Sequence, residues 1–221
     1  MEPESKKTNR VNETLMLPLY PAFADDLPKF LAGLDASDAP CVTLAMLDVD
    51  NMLRLNEQYG YAAVDDATIA MVLHFQRQLP EGARIYRYSG DCFVIILPAV
   101  EKEEAFLLME QLRKEMAVAM PDGTAYTVSI GIATAPADGA TFSEFVRKAD
   151  AAMYRAKTQG KNRICLAREE KMVTKTSHYT PQQLQKLTEL SKRLGIGEAV
   201  LLREALDVLL QKYDGMRHAG E

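Results

Sequence analysis

Asp91 stands at the tip of a short turn, Ser89-Gly90-Asp91-Cys92, between Arg87-Tyr88 and the apolar run Phe93-Val94-Ile95-Ile96. That pattern predicts a tight hairpin presenting one carboxylate. Upstream, Val42-Thr43-Leu44-Ala45-Met46-Leu47 leads into Asp48-Val49-Asp50, so more carboxylates stand where a buried strand emerges into a loop. Acids at two strand ends can share a metal ion. Taken singly, Asp48, Asp50 and Asp65 also suit helix capping, and Cys92 also suits a small buried apolar position.

Helices and strands must carry these ends. A helix is expected over Pro21 to Leu34, then the strand into Asp48, a loop, and a helix through Ala67 to Leu79 that ends at Pro80-Glu81-Gly82. After the hairpin, Ala105, Leu108, Leu112 and Met116 recur at helical spacing, and Pro121-Asp122-Gly123 makes a turn. Tyr126 to Ala133 reads as a strand, and Phe145, Ala149, Ala152, Met153 and Ala156 as a helix face. Tyr154 reads as core, and His74 and His218 as residues without partners. Strands alternating with helices around an antiparallel hairpin give an α+β sandwich.

Leu47-Asp48-Val49-Asp50, then Asn56, Tyr59-Gly60 and Asp65, and later Arg87 to Phe93 resemble a GGDEF (diguanylate cyclase) domain. Thr127 to Ala133, Ala149 to Lys157 and Gly160-Lys161-Asn162-Arg163 continue the likeness, which covers about residues 11 to 167. The resemblance implies a palm-like, ferredoxin-related sheet covered by helices. It also implies the joining of two GTP molecules into cyclic di-GMP, a ribose 3′-hydroxyl attacking an α-phosphate with magnesium activating it. By resemblance, Asp48, the Val49 carbonyl and Asp91 hold metal. Asn56 and Asp65 bond the guanine edge, Ser89 and Gly90 lie beside the phosphates, and Lys157 and Lys161 neutralise them.

The chain departs from that family at several of these places. Cys92 stands where the family has an acid, Ser89 where it has a glycine and Leu53 where it has a lysine. Pro80 and Ala83 occupy the positions of an inhibitory Arg-x-x-Asp motif, and Thr14 to Tyr20 departs from the family's Leu-Thr-Gly-Leu-x-Asn-Arg. A thiol with an ordinary pKa of about 8.5 stays neutral, and soft sulfur is a poor magnesium ligand. Asp91 and the altered position Cys92 are therefore the catalytic candidates, with weak or absent turnover expected.

The remainder of the chain changes character. Up to Glu170 there are 18 Lys and Arg against 25 Asp and Glu, a balance of −7; beyond it 8 face 6, a balance of +2. Thr174 to Tyr179 alternates like a short strand. Thr180-Pro181 opens a helix striped by Leu184, Leu187, Leu190 and Leu194, and Leu202 to Tyr213 supplies another. So small a unit makes a marginal core alone and is expected to dimerise. It resembles the ribbon-helix-helix family, whose paired strands from two chains lie in the DNA major groove. Thr174, Thr176 and His178 are the outward set in one register, with Lys175, Ser177 and Tyr179 outward after a one-residue slip. Gly197-Glu198-Ala199 replaces that family's usual hydroxylated residue at the second helix.

The expected organisation is a polar tail at 1–10, a GGDEF-like domain at 11–168, a linker at 169–173, a ribbon-helix-helix module at 174–214 and a tail at 215–221. No segment reaches membrane-spanning length and the first ten residues lack a signal peptide's apolar stretch, so a cytoplasmic protein is expected. Cys41, Cys92 and Cys165 have no paired spacing and read as free thiols. The functional expectation is a homodimeric regulator that binds GTP or cyclic di-GMP and double-stranded DNA. The alternatives are an active cyclase held dimeric by its C-terminal module, and a scaffold with no ligand.

Overall fold

A computed structural model describes residues 9–34, 40–168 and 176–194, with 198–199, 201–202, 205–206 and 209 beyond them. The chain divides into two compact units, Met1–Glu170 and Lys171–Glu221. The first is a five-stranded sheet with helices on both faces. Its strands are β1 (Val42–Val49), β2 (Arg84–Ser89), β3 (Cys92–Pro98), β4 (Val128–Ala135) and β5 (Ile164–Leu166), in the order β2-β3-β1-β4-β5. All pairs are antiparallel except β4 with β5.

The mostly apolar run of β1 follows from its central place, which buries both of its faces. Ala45, Leu47 and Val49 point to one side, under α3 (Met52–Gln78) and α4 (Lys102–Glu115). Val42, Leu44 and Met46 point to the other, under α2 (Tyr20–Gly33) and α5 (Phe142–Thr158). Period-two alternation therefore sends Asp48 toward α5. Gly131 of β4 lies against that same helix so closely that a Cβ there would meet the Ala149 carbonyl oxygen at 2.1 Å and the Met153 nitrogen at 2.2 Å.

Several expectations shift. The loop after Asp50 is short, because α3 begins at Met52 and continues to Gln78 across a break at Gly60, whose φ of 79° and ψ of 159° leave the helix. The segment before that break buries only Leu55, which is why its apolar period is faint in the sequence. A further helix, α1 (Asn9–Leu15), covers part of α3: Arg10 pairs with Asp66 at 2.5 Å and Val11 is buried. Tyr154 is 49% exposed rather than core, because the buried face of α5 passes through Ala152, Met153 and Ala156. His74 has a partner, the Leu112 carbonyl at 2.8 Å.

In the second unit, α6 (Pro181–Leu194) starts as expected. Thr180 Oγ1 accepts from the Gln183 amide at 3.2 Å while Gln183 Oε1 accepts from the Thr180 amide at 2.9 Å, a reciprocal capping box. Thr176, His178 and Tyr179 are exposed and carry no strand, since an isolated strand in one chain has no ladder to join. Thr174 and Lys175 lie outside the described residues, as does most of the second expected helix. Among the described residues no helix is long and apolar enough to cross a membrane.

Candidate functional site

The β2–β3 hairpin closes through Gly90 and Asp91, with Ser89 paired to Cys92. Gly90 takes a φ of 43°, a left-handed conformation that a side chain would strain. The buried Arg87 guanidinium braces this turn by donating from Nε and Nη2 to the Gly90 carbonyl at 2.9 and 2.6 Å, and from Nη1 to Asn12 Oδ1 at 3.0 Å. Sequence reading missed Arg87 as a support, although its place three residues before the glycine is the signal.

Asp48 lies opposite Cys92 on the β1–β3 ladder, and the next amide, Val49, donates to the Asp91 carbonyl at 3.3 Å. The Asp48 carboxylate forms an ion pair with Lys157, near the end of α5. Burial pushes the Asp48 carboxyl up to about 6; Lys157 pulls it back, and the charges of Asp91 and Asp50 raise it further. Cys92 is 6% exposed, and burial, followed by the charges of Asp48, Asp150 and Asp91, drives its thiol far above the ordinary range. The sulfur is a neutral thiol at physiological pH.

Asp48 carries a testable consequence. Its folded pKa of about 6 exceeds the unfolded value of 3.8, so the folded state holds the extra proton between them. The associated stability is present below pH 3.8 and is lost as pH rises through about 6. Asp48→Asn should remove that slope and stabilise the ligand-free protein at pH 7 by about 2 kcal/mol, roughly 4–8 °C in Tm. Thermal unfolding of both proteins from pH 4 to 7 checks it; equal slopes would refute it.

Asp50 is a structural acid. It is 2% exposed and accepts from Thr127 Oγ1 at 2.8 Å, Ser129 Oγ at 2.7 Å and the Asn162 amide at 2.9 Å. That last bond holds Lys161 and Asn162, both at positive φ, in a turn that brings Lys161 to Asn51 Oδ1 at the start of α3.

A cleft of about 480 Å³ opens here, bounded by Val49, Asp91, Lys157 and Lys161 together with Asn51, Arg54 and Glu57. The structure thus unites four of the expected residues and adds Arg54, from the first turn of α3, which sequence reading missed. Ser89 and Gly90 remain on the adjoining hairpin, and Ser89 is exposed. Asn56 and Asp65 lie on either side of the Gly60 break and are not among the residues lining this cleft. Asn56 Oδ1 is buried without a hydrogen-bond partner among the described residues, an acceptor left open for a donor. Burial raises Asp65's pKa against the charges of Arg10 and Arg87. A larger hollow of about 570 Å³ has Pro80 and Ala83 on its wall, but its one carboxylate, Asp26, is already bonded to Arg84 and Tyr86 at 2.9 Å and to Lys29 at 3.0 Å. The smaller cleft, which brings together Asp91, Lys157 and Lys161, is the candidate site.

Among the described residues no three His, Cys, Asp or Glu side chains converge as a metal-ligating group. Asp48, the Val49 carbonyl and Asp91 offer oxygens of the kind one magnesium ion takes. They do not extend to two ions, because the adjoining donor is the neutral, buried Cys92 thiol.

Comparison with known proteins gives the same outline. The chain is 30% identical over 126 residues to diguanylate cyclase DgcM of Escherichia coli (strain K12), covering 57% of this chain and 30% of that protein. The chain therefore spans less than a third of that relative's length. The crystal structure of the GGDEF domain of PA1120 (YfiN or TpbB) from Pseudomonas aeruginosa superposes with a TM-score of 0.65 at 26% identity, over 70% of this chain and 98% of the other. The coiled coil and GGDEF domain of DgcB from Caulobacter crescentus, in complex with c-di-GMP, gives a TM-score of 0.61 at 26% identity, over 68% and 82%. The pattern of the family described as diguanylate cyclase, GGDEF domain, matches residues 22–163, and that of the ribbon-helix-helix domain matches residues 173–214. With its α+β sheet, its Asp91 hairpin and these matches, the chain belongs to the GGDEF-domain family and carries a ribbon-helix-helix domain after it.

Proposed function

We propose that this protein is a nucleotide-responsive regulator: its GGDEF domain binds GTP or cyclic di-GMP with little or no cyclisation, and its ribbon-helix-helix module pairs two chains on double-stranded DNA. The observation that carries this reading is the neutral Cys92 thiol, buried on the rung opposite Asp48. Magnesium, when bound, would supply charge for the attacking hydroxyl and the departing pyrophosphate, and Asp48, Val49 and Asp91 are the residues that would hold it. The chain's own groups bind and orient: Lys157 and Lys161 face the phosphates across the cleft, while the open Asn56 acceptor and Asp65 suit the donor edge of guanine. Recognition is supported more strongly than catalysis, because Asn56, Asp65, Lys157 and Lys161 are present while the acid at position 92 is not. The similar GGDEF domain of DgcB, which holds c-di-GMP, supports that ligand class.

In the tail, Thr174, Lys175, Thr176 and His178 are proposed to face the groove once two strands pair, and the module's positive balance suits a polyanion. Calorimetry with GTP and with cyclic di-GMP, beside mobility shifts of genomic DNA fragments, tests the whole reading. Saturable binding of one nucleotide and a salt-sensitive DNA shift are expected; neither would remove it. The second reading, an active cyclase, is favoured by the intact cationic cleft, and cyclic dinucleotide made from GTP at an ordinary cyclase rate would select it.

A further inference from the structure

We propose that Arg113, on α4 and outside the cleft, is a positioning residue for the terminal phosphates of GTP, acting through Asn162 to hold Lys161 in place. This rests on the nucleotide reading above and deepens it by naming what fixes one phosphate contact. Of the cations lining the cleft, Arg54 and Lys157 are carried by α3 and α5, whereas Lys161 is carried by the turn 160–163 before β5. A helix fixes its own backbone through its ladder of hydrogen bonds; a turn must be fixed by its neighbours. Lys161 and Asn162 both take positive φ, 61° and 45°, a region that disfavours lysine more than asparagine. Such a backbone persists where its surroundings over-determine it.

Three bonds hold the main chain of this turn. The Lys161 amide donates to the Ala156 carbonyl at 3.0 Å, the Asn162 amide to Asp50 Oδ2 at 2.9 Å, and the Ile130 amide to the Arg163 carbonyl at 2.9 Å. The side-chain hold comes from α4, where Arg113 Nη1 donates to Asn162 Oδ1 at 2.6 Å. Arg113 is itself held: Nε and Nη2 donate to the two oxygens of Glu110, each at 2.8 Å, and its side chain is 11% exposed. A pair three residues apart on one helix adds little stability by itself. Here it locks the planar guanidinium so that its remaining edge meets Asn162. Lys161, the neighbour of Asn162, then reaches Asn51 at the start of α3, on the wall of the cleft.

The test titrates the full chain in magnesium buffer with GTP and with GMP, which lacks the terminal phosphates. Arg113→Gln should weaken GTP binding by about tenfold and change GMP binding by less than about twofold. Asn162→Gly, which keeps the positive φ without strain and removes only the acceptor, should reproduce that loss and decides the matter if Arg113→Gln fails to fold. Lys161→Gln combined with Asn162→Gly should lose no more than Lys161→Gln alone, and this cycle decides where GMP binding is too weak to register. Unchanged GTP affinity in Asn162→Gly, equal losses for GTP and GMP, or additive losses in the cycle would overturn the inference and leave the nucleotide reading intact. A wild-type chain that binds cyclic di-GMP but not GTP would also overturn the inference alone; one that binds neither would overturn both.

Discussion

Cys92→Glu is expected to raise the yield of cyclic dinucleotide from GTP by about 10²-fold or more over the wild type in magnesium buffer. Position 92 opens β3 directly opposite Asp48, and beyond it the remaining cleft groups are in place: Asp91 on the hairpin, Lys157 on α5 and Lys161 on its fixed turn. What the wild type lacks is an anionic oxygen. The thiol there is buried and neutral, held so by burial and by the charges of Asp48, Asp150 and Asp91. Those same charges make the substitution costly to the ligand-free fold, so the variant's Tm should fall in EDTA and recover with magnesium. Chromatography of reaction products reads the gain. A variant that folds, binds GTP and makes no more product than the wild type would place the barrier elsewhere, at Leu53 or Ser89.

Gly131→Ala should cost about 3 kcal/mol or more of stability, a fall of roughly 6–12 °C in Tm. The new methyl would lie 2.1 Å from the Ala149 carbonyl oxygen and 2.2 Å from the Met153 nitrogen, and both neighbours are backbone atoms that no rotamer change can move. The helix α5 must lift from β4, and α5 carries Lys157. The same variant should therefore lose nucleotide affinity along with stability, whereas Gly82→Ala, at a surface turn with open space around its Cβ, strains only its own backbone and should leave affinity unchanged. Differential scanning calorimetry and a GTP titration separate these outcomes. Wild-type stability in Gly131→Ala would mean that α5 and β4 do not approach closely enough to exclude a methyl group.

The parts legible in the sequence are those governed by near neighbours. The mostly apolar run of β1, the Gly90-Asp91 turn and the Thr180-Gln183 cap each follow from residues a few positions apart, and each is present. Asp50 is ambiguous in the sequence because its partners, Thr127, Ser129 and Asn162, come from the start of β4, the residue before it and a distant turn; only the folded chain reveals it as a support. The Asp48–Lys157 pair was hidden for the same reason. The helix α1 is seven residues long, too short to hold by propensity, and it persists through Val11 and the Arg10 contacts with Asp66 and the Ala62 carbonyl at 3.0 Å. Arg54 passed unnoticed because a single arginine on an exposed helical turn looks like any solvated charge until the cleft is formed.

The most direct test of the account is a single preparation of the full wild-type chain, mixed with GTP and magnesium, in which bound nucleotide and released product are measured together. Stoichiometric, saturable binding with GTP recovered unchanged is the expected result. Rapid conversion of GTP into cyclic di-GMP would contradict it, because a buried neutral thiol would then be doing the work assigned to an anionic oxygen.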